Sequence, residues 1–178
     1  IGITNQGFWL VGKNVMEAME QNQTERLTPA CILPEPGNHT LYTRETEDNL
    51  IVLKPFSKID IFFPVLHGTL GEDGTIQGLF EMAEIAYVGA GVLGSAAGMD
   101  KAVFKQIMRA NQIPVVDDIV ISRQEIQNKL QEIINKCEKL GSYPFFTKPA
   151  NMGSSVGINK CNNRQQLIDS FWWSTSKF

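Results

Sequence analysis

Long apolar runs are missing from this sequence, and with them any candidate membrane-spanning helix. The longest weakly polar stretch, residues 85–99, holds four glycines and falls short of the roughly 20 residues a bilayer demands. A basic block is missing too. Sixteen Lys and Arg against nineteen Asp and Glu leave a net charge of −3, which argues against a nucleic-acid or anionic-membrane partner. Cysteine is sparse: Cys31, Cys137 and Cys161 lie far apart with no C-x-x-C pair. Such an odd set suits a reducing cytoplasmic setting better than a disulfide framework or a zinc site. The N-terminus lacks the basic region of a secretory signal, and it lacks an initiator methionine. That missing Met, with the abrupt end at Phe178, suggests a piece of a longer protein. What is present is a globular composition, 43% hydrophobic with a mean hydropathy of −0.12. A chain of this length buries roughly 70% of its unfolded surface without covalent staples. It has room for one ordinary domain or two small ones.

Hydrophobic periodicity divides the chain. Residues 1–4 and 8–11 are short apolar runs around Asn5-Gln6-Gly7, the pattern of a hairpin. Val15, Met16 and Met19 then fall at helical spacing. Residues 22–57, with Pro29, Pro34, Pro36, Pro55 and a charged stretch over 43–49, read as loops around short strands. The apolar run 59–66 reads as a strand covered on both faces, as in a parallel sheet. After it, Ile76, Leu79, Phe80 and Ala83 form one helical stripe, and 85–88 forms another short strand. Strand, loop, helix, strand is the grammar of an α/β domain. Farther on, a helix over about 100–112 carries Val103, Phe104, Ile107 and Met108 and stops before Pro114; 115–121 reads as a strand. Ser122 and Glu125 form a capping box for a helix whose stripe is Ile126, Leu130, Ile133, Ile134 and Cys137, with Gly141 as its stop. Residues 143–149 and 156–158 read as a hairpin. A domain boundary falls near Gly98.

Two segments carry candidate chemistry. The first is His67-Gly68-Thr69-Leu70-Gly71-Glu72-Asp73-Gly74-Thr75. It leaves the C-terminal end of a predicted strand and feeds a helix N-terminus, where α/β sheets bind ligands and free N–H groups meet anions. His67 and Glu72 are placed to pair and fix an imidazole beside a substrate; the plainer reading has Asp73 or Thr75 simply capping the helix. The second is Lys148-Pro149-Ala150-Asn151-Met152-Gly153-Ser154-Ser155-Val156-Gly157. A small, glycine- and serine-rich turn exposes consecutive N–H groups that suit phosphate oxygens, and Lys148 adds a point charge. Here the plainer reading is an ordinary turn with a solvated lysine. The spacing is not that of a Walker loop. A third pattern, Gly89-Ala90-Gly91-Val92-Leu93-Gly94, matches a dinucleotide fingerprint, but Gly98 interrupts the chain before any convincing helix. A glycine-rich connection explains it better. Cys137, on the apolar stripe, reads as core rather than nucleophile.

These residues resemble those of D-alanine–D-alanine ligases, members of the ATP-grasp superfamily. Three segments carry the likeness: LHGTLGEDGTIQGLFE from Leu66, GMDKAVFK from Gly98 and FFTKPANMGSSVGINK from Phe145. The resemblance implies an α/β fold, with a Rossmann-like (pre-ATP-grasp) N-terminal domain over 1–98 and the start of an ATP-grasp domain over 99–178. It implies ATP-dependent joining of two D-alanines through an acyl phosphate, for peptidoglycan synthesis. Lys101 and Lys148 look like the lysines that bind the ATP phosphates. Ser154, Ser155 and Val156 look like the loop that closes over the nucleotide, with Ser154 also in a network near the first D-alanine. His67 resembles the histidine beside that D-alanine's carboxylate, and Glu72 its orienting partner. The family pattern further implies ATP with Mg2+ or Mn2+, metal ligands outside this sequence, a cytoplasmic homodimer, and no membrane partner. The stretch 172–178 departs from the pattern. Ligases for D-lactate or D-serine stay open, as do, in other classes, an NAD-binding oxidoreductase domain and an inactive remnant.

Overall fold

The computed structural model describes residues 1–153 and 155–177, with side chains as far as Trp173. It is a mixed α/β structure that divides into two compact units. One comprises Ile1–Pro64 and Gln77–Gly89; the other comprises Val65–Ile76 and the chain from Ala90 onward.

The first unit is built on an antiparallel meander of five strands in sequence order: β1 (Gly2–Ile3), β2 (Trp9–Val11), β3 (Thr28–Ile32), β4 (Thr40–Glu47) and β5 (Leu50–Lys58). The hairpin expected around Asn5-Gln6-Gly7 forms, with Gly2 opposite Leu10. Helix α1 (Val15–Glu20) follows, and its Ala18 packs with Leu10 and Leu27 in a small buried cluster. Trp9, Phe62, Phe80 and Tyr87 form a second apolar group, with successive ring centroids 5.9, 4.3 and 5.6 Å apart.

Residues 22–57 depart from the reading as loops around short strands, since they hold the longest strands of the unit. Pro34 and Pro36 fall in the loop between β3 and β4, and the two prolines inside strands sit where a missing N–H costs little. The ladder from β3 to β4 begins at Ala30, one residue past Pro29. Pro55 lies on the outermost strand, beside a register shift that leaves Phe56 as an extra residue. The charged stretch 43–49 enters a two-residue hairpin turn, Asp48-Asn49, with φ of 50° and 63°. Both residue types tolerate the left-handed conformation that such a turn requires.

The run 59–66 also differs from expectation. It touches the chain's other extended segment, 85–88, through one parallel bridge, Phe62 with Tyr87. Phe62 N–H donates to Ala86 O and Val88 N–H to Phe62 O, both at 2.8 Å. Ile61, Phe63 and Val65 are 57%, 72% and 70% exposed, so the segment is covered on one face rather than two. The strand–helix–strand order survives, with α2 (Thr75–Met82) between the bridged segments.

The second unit contains α3 (Val92–Met99), α4 (Lys101–Ala110), α5 (Arg123–Glu138), β6 (Phe145–Thr147), β7 (Asn159–Cys161) and α6 (Arg164–Lys177). Its core joins Ile126, Ile133, Ile134 and Cys137 of α5 to Cys161, Leu167 and Phe171. The capping box is present: Ser122 N–H donates to Glu125 Oε2 at 2.8 Å and Glu125 N–H to Ser122 Oγ at 3.2 Å. Burial pushes the Cys137 thiol up, in keeping with a core role. Burial and a hydrogen bond to Glu138 push the Tyr143 hydroxyl up to about 12. Three expectations are corrected here. Helix α3 starts directly after Gly91 despite Gly94 and Gly98, the O of its first residue lying against Gly74. Residues 115–121 form no strand and join no ladder among the described residues, although Ile119 and Ile121 pack on the core. The second strand of the last hairpin is 159–161 rather than 156–158, because Ser155 and Gly157 take positive φ and prolong the turn.

Candidate functional site

The segment 67–74 is a tight turn tied to itself. Gly68 O accepts from Glu72 N–H at 2.9 Å, and Glu72 Oε2 accepts in return from Gly68 N–H. Gly68, Leu70 and Gly74 take φ of 76°, 70° and 92°. At Gly74 a side chain is also barred by space, since a Cβ would lie 2.7 Å from Val92 O. The anion at the start of α2 is the chain's own Asp73, which accepts from Leu70 N–H at 2.8 Å and Thr75 N–H at 3.0 Å. Burial raises its carboxyl, but these N–H donors and the Thr75 hydroxyl outweigh that and hold it below the usual range. The capping role that competed with function at this position therefore belongs to Asp73. His67 and Glu72 are both exposed. Glu72 serves the Gly68 amide, and no hydrogen bond joins it to the His67 ring among the described residues.

The segment 148–157 lies in the same unit and meets this turn. A Cβ on Gly153 would stand 3.1 Å from Gly68 Cα and 3.3 Å from Glu72 Oε2. Lys101, the first residue of α4, reaches the segment from another side. Its Nζ donates to Met152 O at 2.6 Å and Ala150 O at 3.4 Å, and its N–H donates to Ala150 O at 3.0 Å. Asp100 caps α4 through the Ala102 and Val103 amides and so sets the direction of the lysine. Lys148 is exposed, as are Ser155 and Val156; Ser154 lies outside the described residues.

An open cleft of about 940 Å3 in this unit is lined by Lys101, Lys105 and Lys148, with Phe104, Phe146 and Thr147 among the other walls. Thr147 Oγ1 is buried without a hydrogen-bond partner among the described residues. Lys101 and Lys148 suit a polyanionic ligand, and Phe104 and Phe146 a flat apolar part of it; Lys105 is already engaged by Val116 O and Asp118. Asp118, also on the wall, is already paired with Lys105 and Arg109. Sequence reasoning missed Lys105 and placed Phe104 on one helix face without assigning it to the cleft; it is 43% exposed. The i, i+4 spacing of Lys101 and Lys105 was the available signal. No three His, Cys, Asp or Glu side chains stand together as a cation site among the described residues, so no metal-dependent step is assigned to them.

Comparison with known proteins settles the family. The model for the D-ala D-ala ligase N-terminus matches residues 1–90, and that for the D-ala D-ala ligase C-terminus matches residues 107–174. The chain belongs to the D-alanine–D-alanine ligase family. The D-alanine–D-alanine ligase of Heliobacterium modesticaldum is 43% identical over 171 residues, covering 96% of this chain and 45% of that protein. The enzyme of Staphylococcus haemolyticus is 41% identical, with 94% and 44% covered. Among solved structures, the VanG D-Ala:D-Ser ligase from Enterococcus faecalis superimposes with a TM-score of 0.76 at 32% identity, covering 99% of this chain and 49% of that one. The D-alanine–D-alanine ligase from Coxiella burnetii gives 0.72 at 26% identity, covering 98% and 49%. This ligase-family chain thus spans a little under half the length of the relatives it matches. Its turn 67–74 falls within the N-terminal match and its segment 148–157 within the C-terminal one, with Lys101 between them.

Proposed function

We propose that this chain holds the first D-alanine and the ATP phosphates in an enzyme that joins D-alanine to D-alanine for peptidoglycan synthesis. The observation that carries the reading is the meeting of the turn 67–74 with the segment 148–157 inside one unit, beside Lys101. In this reading ATP supplies the phosphoryl group that activates the carboxylate of the first D-alanine. Lys101 and Lys148 neutralise phosphate charge along the cleft wall, and Ser155 and Val156, with Ser154, cover the nucleotide. His67 stands at the carboxylate of the amino acid, and Glu72 orients the turn that carries it through Gly68. Positioning and charge neutralisation, rather than covalent work by side chains, account for the chemistry. The magnesium or manganese of the reaction is held by residues beyond these 178. On the same reading, 1–98 is the N-terminal domain and 99–178 the beginning of the ATP-grasp domain of a cytoplasmic homodimer. D-serine as second substrate is favoured only by the name of the VanG neighbour, against the D-alanine ligase names of the curated relatives. Calorimetric titration of the chain with ATP tests the proposal: binding is expected, weakened by Lys148→Ala. Binding that is absent, or unchanged by the substitution, refutes it.

A further inference from the structure

Lys101 has a second feature that phosphate binding does not explain. Of its three ammonium donors, two are already engaged on backbone carbonyls, those of Met152 and Ala150. Charge-assisted bonds of this kind are stronger than neutral ones. They order the side chain before any ligand arrives and leave one N–H to spare. The residue next to Met152 is Gly153, whose backbone lies so close to Gly68 and Glu72 that a methyl there would press on Gly68 Cα at 3.1 Å. Gly68 and Glu72 in turn hold each other by two hydrogen bonds. An unbroken path of contacts therefore runs from the α4 ammonium to the turn that follows His67. Lys148, exposed and without a hydrogen bond from its ammonium among the described residues, has no place in that path.

We infer that Lys101 is a positioning residue that fixes 150–153 and, through Gly153, braces the turn 68–72. The inference rests on the proposed function only in naming these segments as the nucleotide and amino-acid sides of one site. It makes the amino-acid side dependent on a lysine that otherwise serves the nucleotide alone.

The experiment is amide hydrogen exchange, read by NMR on the 178-residue chain without nucleotide. The reporters are Val156, whose N–H donates to Gly153 O, and Gly68 and Glu72, whose N–H groups bond to each other's residue. Lys101→Met, which removes both ammonium bonds, is expected to speed exchange at all three by at least about tenfold, the change that loss of even one hydrogen bond to a charged group produces. Lys101→Arg, which keeps charged donors, restores protection; a packing defect would not be rescued in this way. Lys148→Met changes none of the three. Gly153→Ala, which keeps the Lys101 bonds but pushes on Gly68, speeds exchange at Gly68 and Glu72. Faster exchange at Val156 alone after Lys101→Met overturns the bracing role, and no change anywhere overturns the positioning role. If Lys101→Met fails to fold, Lys101→Gln is read against Lys101→Arg by the same criteria. ATP calorimetry on the same variants keeps the two ideas apart. A chain that fails to bind ATP sinks the functional reading and leaves the exchange result standing.

Discussion

Single residues here do work that their type alone does not reveal. Two lysines read as equivalent from their motifs differ once placed, because Lys101 is half-buried and bonded to carbonyls while Lys148 is exposed. Removing Lys148 as Lys148→Ala should cost about 1.5–3 kcal/mol of ATP affinity, or roughly one to two decades, with D-alanine binding little changed. Calorimetry with each ligand checks this. Substituting His67→Ala should do the reverse, weakening D-alanine binding and sparing ATP; equal loss of both would remove His67 from the amino-acid side. Asp73 carries a pH signature. Its folded carboxyl lies below the ordinary value of 3.8, so it stabilises the fold above that pH and the stabilisation drains away as pH falls through the folded value. Melting in acid should therefore fall less steeply for Asp73→Asn, which should also melt lower than the parent at pH 7. A parallel pair of curves would remove Asp73 from the acid response.

At the scale of elements, helix α5 tests the value of a local signal. Its capping box was legible because Ser122 and Glu125 stand three residues apart ahead of an apolar stripe, and both reciprocal bonds are made. Ser122→Ala should lower stability by about 1 kcal/mol, seen as a lower denaturant midpoint with an unchanged slope. Bonds from the Ser122 amide and hydroxyl also hold Glu125 below its ordinary carboxyl range, so this contribution too is lost on acidification. Other elements were illegible for identifiable reasons. Strands β4 and β5 hide behind Pro55 and a charged run, yet Lys54 bridges to Glu45 and Glu47 along the pair and Asp48-Asn49 turns it. An Asp-Asn pair is weaker as a hairpin signal than Asn-Gly, and proline reads as a breaker unless its edge position is known. Helix α3 was missed because its glycines, each worth about 1 kcal/mol against Ala in a helix interior, outweigh any stripe. The candidate site was readable as two separate motifs. Their meeting at Gly68 and Gly153 was not, because a contact across some 85 positions leaves no mark in spacing.

For the whole molecule, the chain spans a little under half of its relatives, and part of its apolar surface stands uncovered. Ile61, Phe63 and Val65 project on one face of a segment held by a single bridge. The 178 residues alone should release no phosphate in response to D-alanine. They should also associate at high concentration through that face, so Phe63→Lys should reduce light scattering without altering the melt. Turnover above background that Lys148→Ala abolishes would contradict the first expectation. The edge of the five-stranded sheet behaves differently. Strand β5 presents the outer edge of the sheet, a row of backbone groups unpaired among the described residues, on which another β-strand could nucleate. Pro55 removes a donor from that row, the extra residue Phe56 puts the next groups out of step, and Lys54 sets a charge beside them. The irregularity that hid this strand from periodicity is thus also its guard against fibril-like growth, and straightening it should be the quickest way to turn the protein into a template for its own copies.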